Sequence, residues 1–399
     1  MKYLVLGCLV AALGSSPTLA LSGNAQGCVF LNDTREETSS AAGSQHTNHA
    51  GGDPDPLTQA RVKILGGGGG SVGESETDSN GCFNIAWSDW LAFGFPTSGY
   101  KLRVEYANNG DFYVASSSGA QWVTDFNITI HNNNEFIGSF NVGSPEAALV
   151  FMTTIQVWDR IVETSANLRA RMTNVRVDAG VASGAECPTG FSCTIDKNHV
   201  AILNGHGEDR PMTSVAHELG HSIVLHSWNI SSFAIPAGCS FTHSFTGVHA
   251  CESIPWNEGF ANFWAVVFGW TKNATAPTFG TVGGAVIGSP HSVCASSGTP
   301  WRIEACHTAA LWDFFDDPSG DDDAIDDSAT NVAAFTFVDT LNHYCSGTSN
   351  RCDQETGSHG RNHWDFLFNF SSRYAGDLVP EARDIYEAAN IDSGGEEPF

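Results

Sequence analysis

"HELGHSIVLH", His217 to His226, places three histidines and one glutamate within ten residues, a density that points to a metal site. The stretch around it, near 212–226, reads as a helix. On a helix, residues four apart differ by about 40° of rotation, so His217 and His221 project from one side, one turn apart. They can share one ion. Glu218, next to the first histidine, then borders the ion's open position, where a carboxylate can take a proton from water. His226 does not join them, because its offsets from His217 and His221 turn it by about 180° and about 140°.

The spacing is the H-E-x-x-H arrangement of zinc peptidases. Families that take a third histidine from the same motif need a Gly three residues past the second histidine and the ligand six past it. Val224 and Ser227 stand there instead. The third ligand is therefore expected from another element, and "IPWNEGFANFWAVVF", residues 254–268, offers Glu258. Pro255 and Asn257 suit a helix start, with Phe260, Phe263, Trp264 and Val267 along a core-facing side. The bland alternative for Glu258 is compensation of the helix dipole, which favours acids at N-termini.

Taken together, HELGH at 217–221 and WNEGFA at 256–261 resemble the gluzincin superfamily of zinc peptidases, including its thermolysin-like members and its aminopeptidase branch. The resemblance implies zinc held by His217, His221 and Glu258, with Glu218 as general base and a polypeptide as substrate. Asn262 falls where thermolysin-like members place an Asp that orients a ligand histidine, and an amide oxygen can accept that bond too. The resemblance also implies an extended substrate pairing with the strand "HVAIL", residues 199–203. Two departures stand out. Thirty-six residues separate His221 from Glu258, although a Cys239–Cys251 bridge would tie off thirteen of them. No G-x-M-E-N segment is present to hold a free amino end, so an endopeptidase is expected. His243, His249 and Glu252 are alternative ligands, and His307, His343 and Tyr344 are candidates to stabilise the oxyanion. The competing reading is a secreted binding or adhesion protein with an idle zincin fold. Glu218 speaks against it, since a base contributes little to folding and should be lost early.

Before the metal motif the pattern differs. From Gly27 to about Val142, short alternating stretches broken by Gly and Asn predict a β-sandwich, residues 21–144. "TDSNGCFNI" followed by "YKLRVEY" resembles the transthyretin-like sandwiches attached to secreted peptidases. Gly67–Gly70 is read as a turn, because no Lys-Ser/Thr pair follows to make a phosphate loop. After Ser144 the period becomes helical over 146–170, then "TNVRVDAG" and "NHVAILNGH" read as strands. Further helices are expected near 256–270, 303–316, 332–344, 361–373 and 379–390. Strands followed by helices make an α+β chain, with residues 145–399 as the metallopeptidase domain that the resemblance implies.

Lys2, an apolar run and Thr18-Leu19-Ala20 read as a cleaved signal peptide, residues 1–20, and hence a secreted or periplasmic protein. Its removal changes the formal charge from −26 to −27, since it takes one Lys and no acid. Such acidity opposes binding to nucleic acid or anionic membrane. Without Cys8, ten of the eleven cysteines remain. Neighbour pairing gives Cys28–Cys82, Cys187–Cys193, Cys239–Cys251, Cys294–Cys306 and Cys345–Cys352. The Asp-rich stretch 313–327 could bind calcium through alternating oxygens, but lacks the EF-hand order and reads equally as a solvated loop. No G-x-S-x-G elbow is present.

Overall fold

Alternating apolar residues build the first half of the molecule. The computed structural model describes residues 21–32, 54–89, 97–131, 134–143, 145–164, 166–187, 190–203, 212–228, 231–233, 244–251, 253–269, 294 and 297–315. In it, β1 (Leu21–Leu31) pairs antiparallel with β2 (Asp55–Pro56) and β5 (Cys82–Asp89), and parallel with β9 (Glu135–Asn141). A second sheet runs β4 (Ser71–Glu76), β3 (Arg61–Leu65), β6 (Thr97–Glu105), β8 (Val123–Ile130), antiparallel throughout. Phe83, Ile85 and Trp87 of β5 meet Val62 and Ile64 of β3 and Leu102 and Val104 of β6 in one buried cluster. The two sheets thus share a core, as period-2 patterning requires. The Trp87 and Tyr100 rings, 5.9 Å apart, join them. Gly66 and Gly70 close the β3–β4 turn through a 2.8 Å backbone bond, and a strand follows rather than a helix. The turn reading of the glycine run therefore holds.

The second half is helical around one mixed sheet. Its order is β11 (Cys193–Asp196), β12 (His199–Leu203), β10 (Val175–Val181), β7 (Phe112–Ala115), with β11 antiparallel and the others parallel. β7 lies within residues 21–144 yet completes this later sheet. Phe112 carries the contact onward, its ring 5.6 Å from Phe151 and 5.2 Å from Trp158 of α1 (Glu146–Thr164). The apolar cluster is consequently continuous from Leu21 to Leu311.

The topology corrects one expectation. "HVAIL" is not the edge strand: β12 is paired on both sides, and β11 is the edge among the described strands. The physical reason is the two-residue turn at Lys197-Asn198, which folds "CTID" back beside it.

Helices cover one face of this sheet. Val175, Val177, Val200 and Ile202 are buried with Val215, Leu219 and Ile223 of α3 (Met212–Trp228). Against α3 lies α4 (Ser253–Gly269), and against α4 lies α5 (Glu304–Phe315). A short α2 (Ala166–Arg171) follows α1. The chain is thus α+β, with strands the larger share. Among the described residues no helix is long and apolar enough to cross a membrane.

Glycines let the three helices approach closely. A Cβ on Gly220 would stand 3.0 Å from the Ala261 Cα, and one on Gly259 would stand 2.5 Å from the His307 Cβ and 3.0 Å from the Glu304 carbonyl oxygen. Gly259→Ala is expected to push α5 off α4 and lower stability by about 1–3 kcal/mol, read as a reduced urea midpoint. Gly67→Ala, where a Cβ meets nothing within 4 Å, should change stability by less than about 0.5 kcal/mol.

Three expected disulfides are present: Cys28–Cys82, Cys187–Cys193 and Cys294–Cys306. Cys251 is disulfide-bonded as well. Such bonds form and persist in an oxidising compartment. Cys239, the Cys345–Cys352 pair, residues 1–20, the helices expected beyond 332 and the acidic stretch from Asp316 onward lie outside the described residues.

Candidate metal centre

α3 is buried on nearly every side between the sheet and α4, which fixes its rotation and aims His217 and His221 at α4. α4 begins at Ser253, earlier than its sequence signals suggest, so Pro255 sits in the first turn, where its missing N–H removes no helix bond. Glu258 is thereby moved beyond the first turn, which holds no acid. Dipole compensation does not account for it.

The two helices bring three ligand atoms together. The Nε2 atoms of His217 and His221 lie 3.2 and 3.3 Å from the same Glu258 oxygen, Oε2, and the three groups' ligand atoms all fall within 4.8 Å of one another. The imidazoles stand edge to face, ring centroids 4.8 Å apart. On its other side His217 Nδ1 bonds Asn262 Oδ1 at 2.9 Å. A carboxamide oxygen only accepts, so Nδ1 carries the proton and Nε2 of the neutral ring offers a lone pair. Nε2 also stands 3.2 Å from Glu258 Oε2: with a metal bound its lone pair would go to the ion, and with a proton instead the ring donates to the carboxylate. Burial would raise the Glu258 carboxyl, but His221 and His217 outweigh it and hold it well below the usual carboxylate range.

The donor set fits zinc. Two atoms each about 2.0–2.1 Å from a tetrahedral zinc are about 3.3 Å apart, close to the spacings found. His221 Nδ1 is buried and makes no hydrogen bond among the described residues, and the Phe233 ring packs edge-on 5.7 Å from its imidazole. His217 is thus the ring whose tautomer a neighbour fixes. For a metal ion taken up by this group, Asn262→Leu is expected to weaken binding about 10- to 100-fold in a competition titration against a chelating dye, with little loss of fold.

Glu218, 7% exposed, follows His217 directly on α3. Thr194, a residue the sequence did not single out, reaches it from β11: its Oγ1 lies 3.0 Å from Glu218 Oε2 and 2.7 Å from the Glu218 main-chain oxygen. No motif flags an isolated threonine on a four-residue strand, so only the tertiary fold reveals it.

The remaining histidines fall elsewhere. His226 is buried on another side of α3; burial first, then Lys197, push it down to about 4 against an opposing bond to the Lys197 backbone. The ring of His249, an alternative ligand from sequence, pairs instead with Glu304 at 3.0 Å, and the His249 backbone N–H donates to the Arg302 carbonyl. His307 is fully buried between α4 and α5, its Nε2 2.9 Å from the Trp301 carbonyl oxygen, and burial pushes it down to about 4. Nε2 therefore holds its proton and Nδ1 is an acceptor, so this ring has no N–H for an oxyanion. His243, Glu252, His343 and Tyr344 lie outside the described residues.

A second group that could hold a metal, Asp178, Glu186 and His199, lies on the sheet face away from α3. Here Arg176 already grips Asp178, with Nε 2.7 Å from Oδ1 and Nη2 on Oδ2, while His199 Nε2 reaches the same Oδ2 at 2.9 Å. Burial would raise the Asp178 carboxyl, but His199 and Arg176 hold it low. A guanidinium thus already spans both Asp178 oxygens, while Glu186 lies 4.0 Å from Arg176 Nη2 and 3.7 Å from His199 Nε2.

No known protein-family profile and no curated protein matches the chain. Among solved structures, a 9R-lipoxygenase from Cyanothece matches at 17% identity and a TM-score of 0.19, over 40% of this chain and 25% of that one. A likeness of that size defines no shared fold.

Proposed function

We propose that the protein is a secreted zinc-dependent endopeptidase of the gluzincin type. The observation that carries this reading is the convergence of His217, His221 and Glu258 on one point, with Glu218 the residue after His217 on the same helix. A zinc ion there would leave one position open and lower the pKa of a water towards about 7. Glu218 then accepts the proton as water attacks the peptide carbonyl, and returns it to the leaving amine. Asn262 keeps His217 in the tautomer that binds metal. The outer edge of β11 has no partner among the described strands, so an extended peptide can add to it as a further strand, beside Glu218. The disulfides agree with export.

The test is metal analysis together with casein hydrolysis. Purified protein should carry one zinc per chain, lose hydrolysis on dialysis against a chelator and regain it with zinc but not magnesium. Protein that takes up no zinc sinks the reading; zinc without hydrolysis of any peptide library leaves the idle binding protein.

A further inference from the structure

We infer that Thr194 is a positioning residue for the general base: its hydroxyl, presented by edge strand β11, fixes the Glu218 carboxylate in the orientation that faces the metal-bound water. The inference rests on the peptidase reading for its kinetic consequence, but its geometric content is independent of it.

A glutamate on a helix has three side-chain torsions to order, and a general base works only within hydrogen-bond reach of its proton. Thr194 makes the one side-chain hydrogen bond to the Glu218 carboxylate among the described residues, at Oε2 and 3.0 Å. Oε1 is left for the water. The same Oγ1 stands 2.7 Å from the Glu218 main-chain oxygen, so backbone and carboxylate of one residue are clasped at a single point. A hydroxyl has one proton and two lone pairs. That one proton faces two acceptors of the same residue, the main-chain oxygen at 2.7 Å and Oε2 at 3.0 Å, and is shared between them.

Thr194 is also held firmly itself. β11 pairs with β12 through Cys193↔Ala201 and Thr194↔Val200, and Cys193 is tied to Cys187. Position 194 faces α3 while Cys193 and Ile195 pack on the opposite face of the sheet. Substrate strand and base are therefore referenced to the same short β element.

The experiment compares Thr194→Val, which keeps the branched shape and removes the hydroxyl, with Thr194→Ser, which keeps the hydroxyl. In the zinc-loaded protein, Thr194→Val should lower kcat on a peptide substrate roughly 10- to 100-fold with KM within about twofold, the loss of one bond to a charged group and of its alignment. Thr194→Ser should recover most of that rate. Zinc content and thermal midpoint should match wild type in both. An unchanged kcat in Thr194→Val, a loss confined to KM, or a Ser variant no better than Val overturns the inference. Crystal structures supply the readout that needs no activity: one Glu218 conformer in wild type and Thr194→Ser, several in Thr194→Val. If wild type hydrolyses nothing, the peptidase reading fails by itself, and a single unchanged Glu218 conformer in Thr194→Val still overturns this one.

Discussion

Glu218→Gln is expected to keep wild-type zinc and lose about 10²- to 10⁴-fold in kcat, the usual contribution of a positioned general base. On the proposed reading metal retention follows from geometry, because the candidate ligand atoms belong to His217, His221 and Glu258 and the Glu218 side chain is not among them. The substituted amide keeps the volume of the carboxyl, and its NH₂ can donate to Thr194 Oγ1 while the threonine proton serves the Glu218 main-chain oxygen. The fold around α3 is thus undisturbed, and the thermal midpoint should be unchanged. An amide cannot accept the water's proton, so the loss falls on the chemical step and KM stays near wild type. The decisive result is a pair of measurements on one sample, zinc per chain and kcat. A variant as active as wild type removes Glu218 as the base.

The grouping of His217, His221 and Glu258 was legible in the sequence because its constraints are local. His217 and His221 share a face through the helical period, and Glu258 announces itself as an acid within an otherwise apolar, aromatic stretch. Asn262 follows from the same period, four residues on. What sequence does not carry is the pairing of distant segments. β7 alternates like any sandwich strand, and only the Phe112, Phe151 and Trp158 contact shows that it serves the other sheet. β12 reads as an edge strand until the turn at Lys197-Asn198 brings β11 alongside. Thr194 belongs to the same class, since an unremarkable threonine acquires its role from the strand that presents it. His307 erred in the opposite direction: a histidine invites a catalytic reading, whereas burial against Gly259 makes it part of the helix packing.

Two of these buried histidines should make the protein acid-labile above the range where its carboxylates titrate. His226 and His307 are each pushed down to about 4 in the folded chain, against about 6.5 when unfolded. Between those values the unfolded chain binds more protons, so stability rises with pH across the window. Their full contribution is present above about pH 6.5, declines as pH falls and is gone below about pH 4. Each shift corresponds to something on the order of 3 kcal/mol, and the two together rival the whole stability of an ordinary domain. Metal release in acid would add to the effect, so the measurement belongs in chelator, comparing urea midpoints from pH 7.5 to 4.5. His226→Asn and His307→Gln remove the titrating ring while offering an amide N–H to the Lys197 and Trp301 carbonyls. Each should flatten the decline by about half in that window, even where its stability at pH 7.5 is lower. Profiles parallel to wild type in both variants would place the acid sensitivity elsewhere, with the Glu258 cluster, whose low carboxyl weakens the fold only at more acid pH, as the next group to replace.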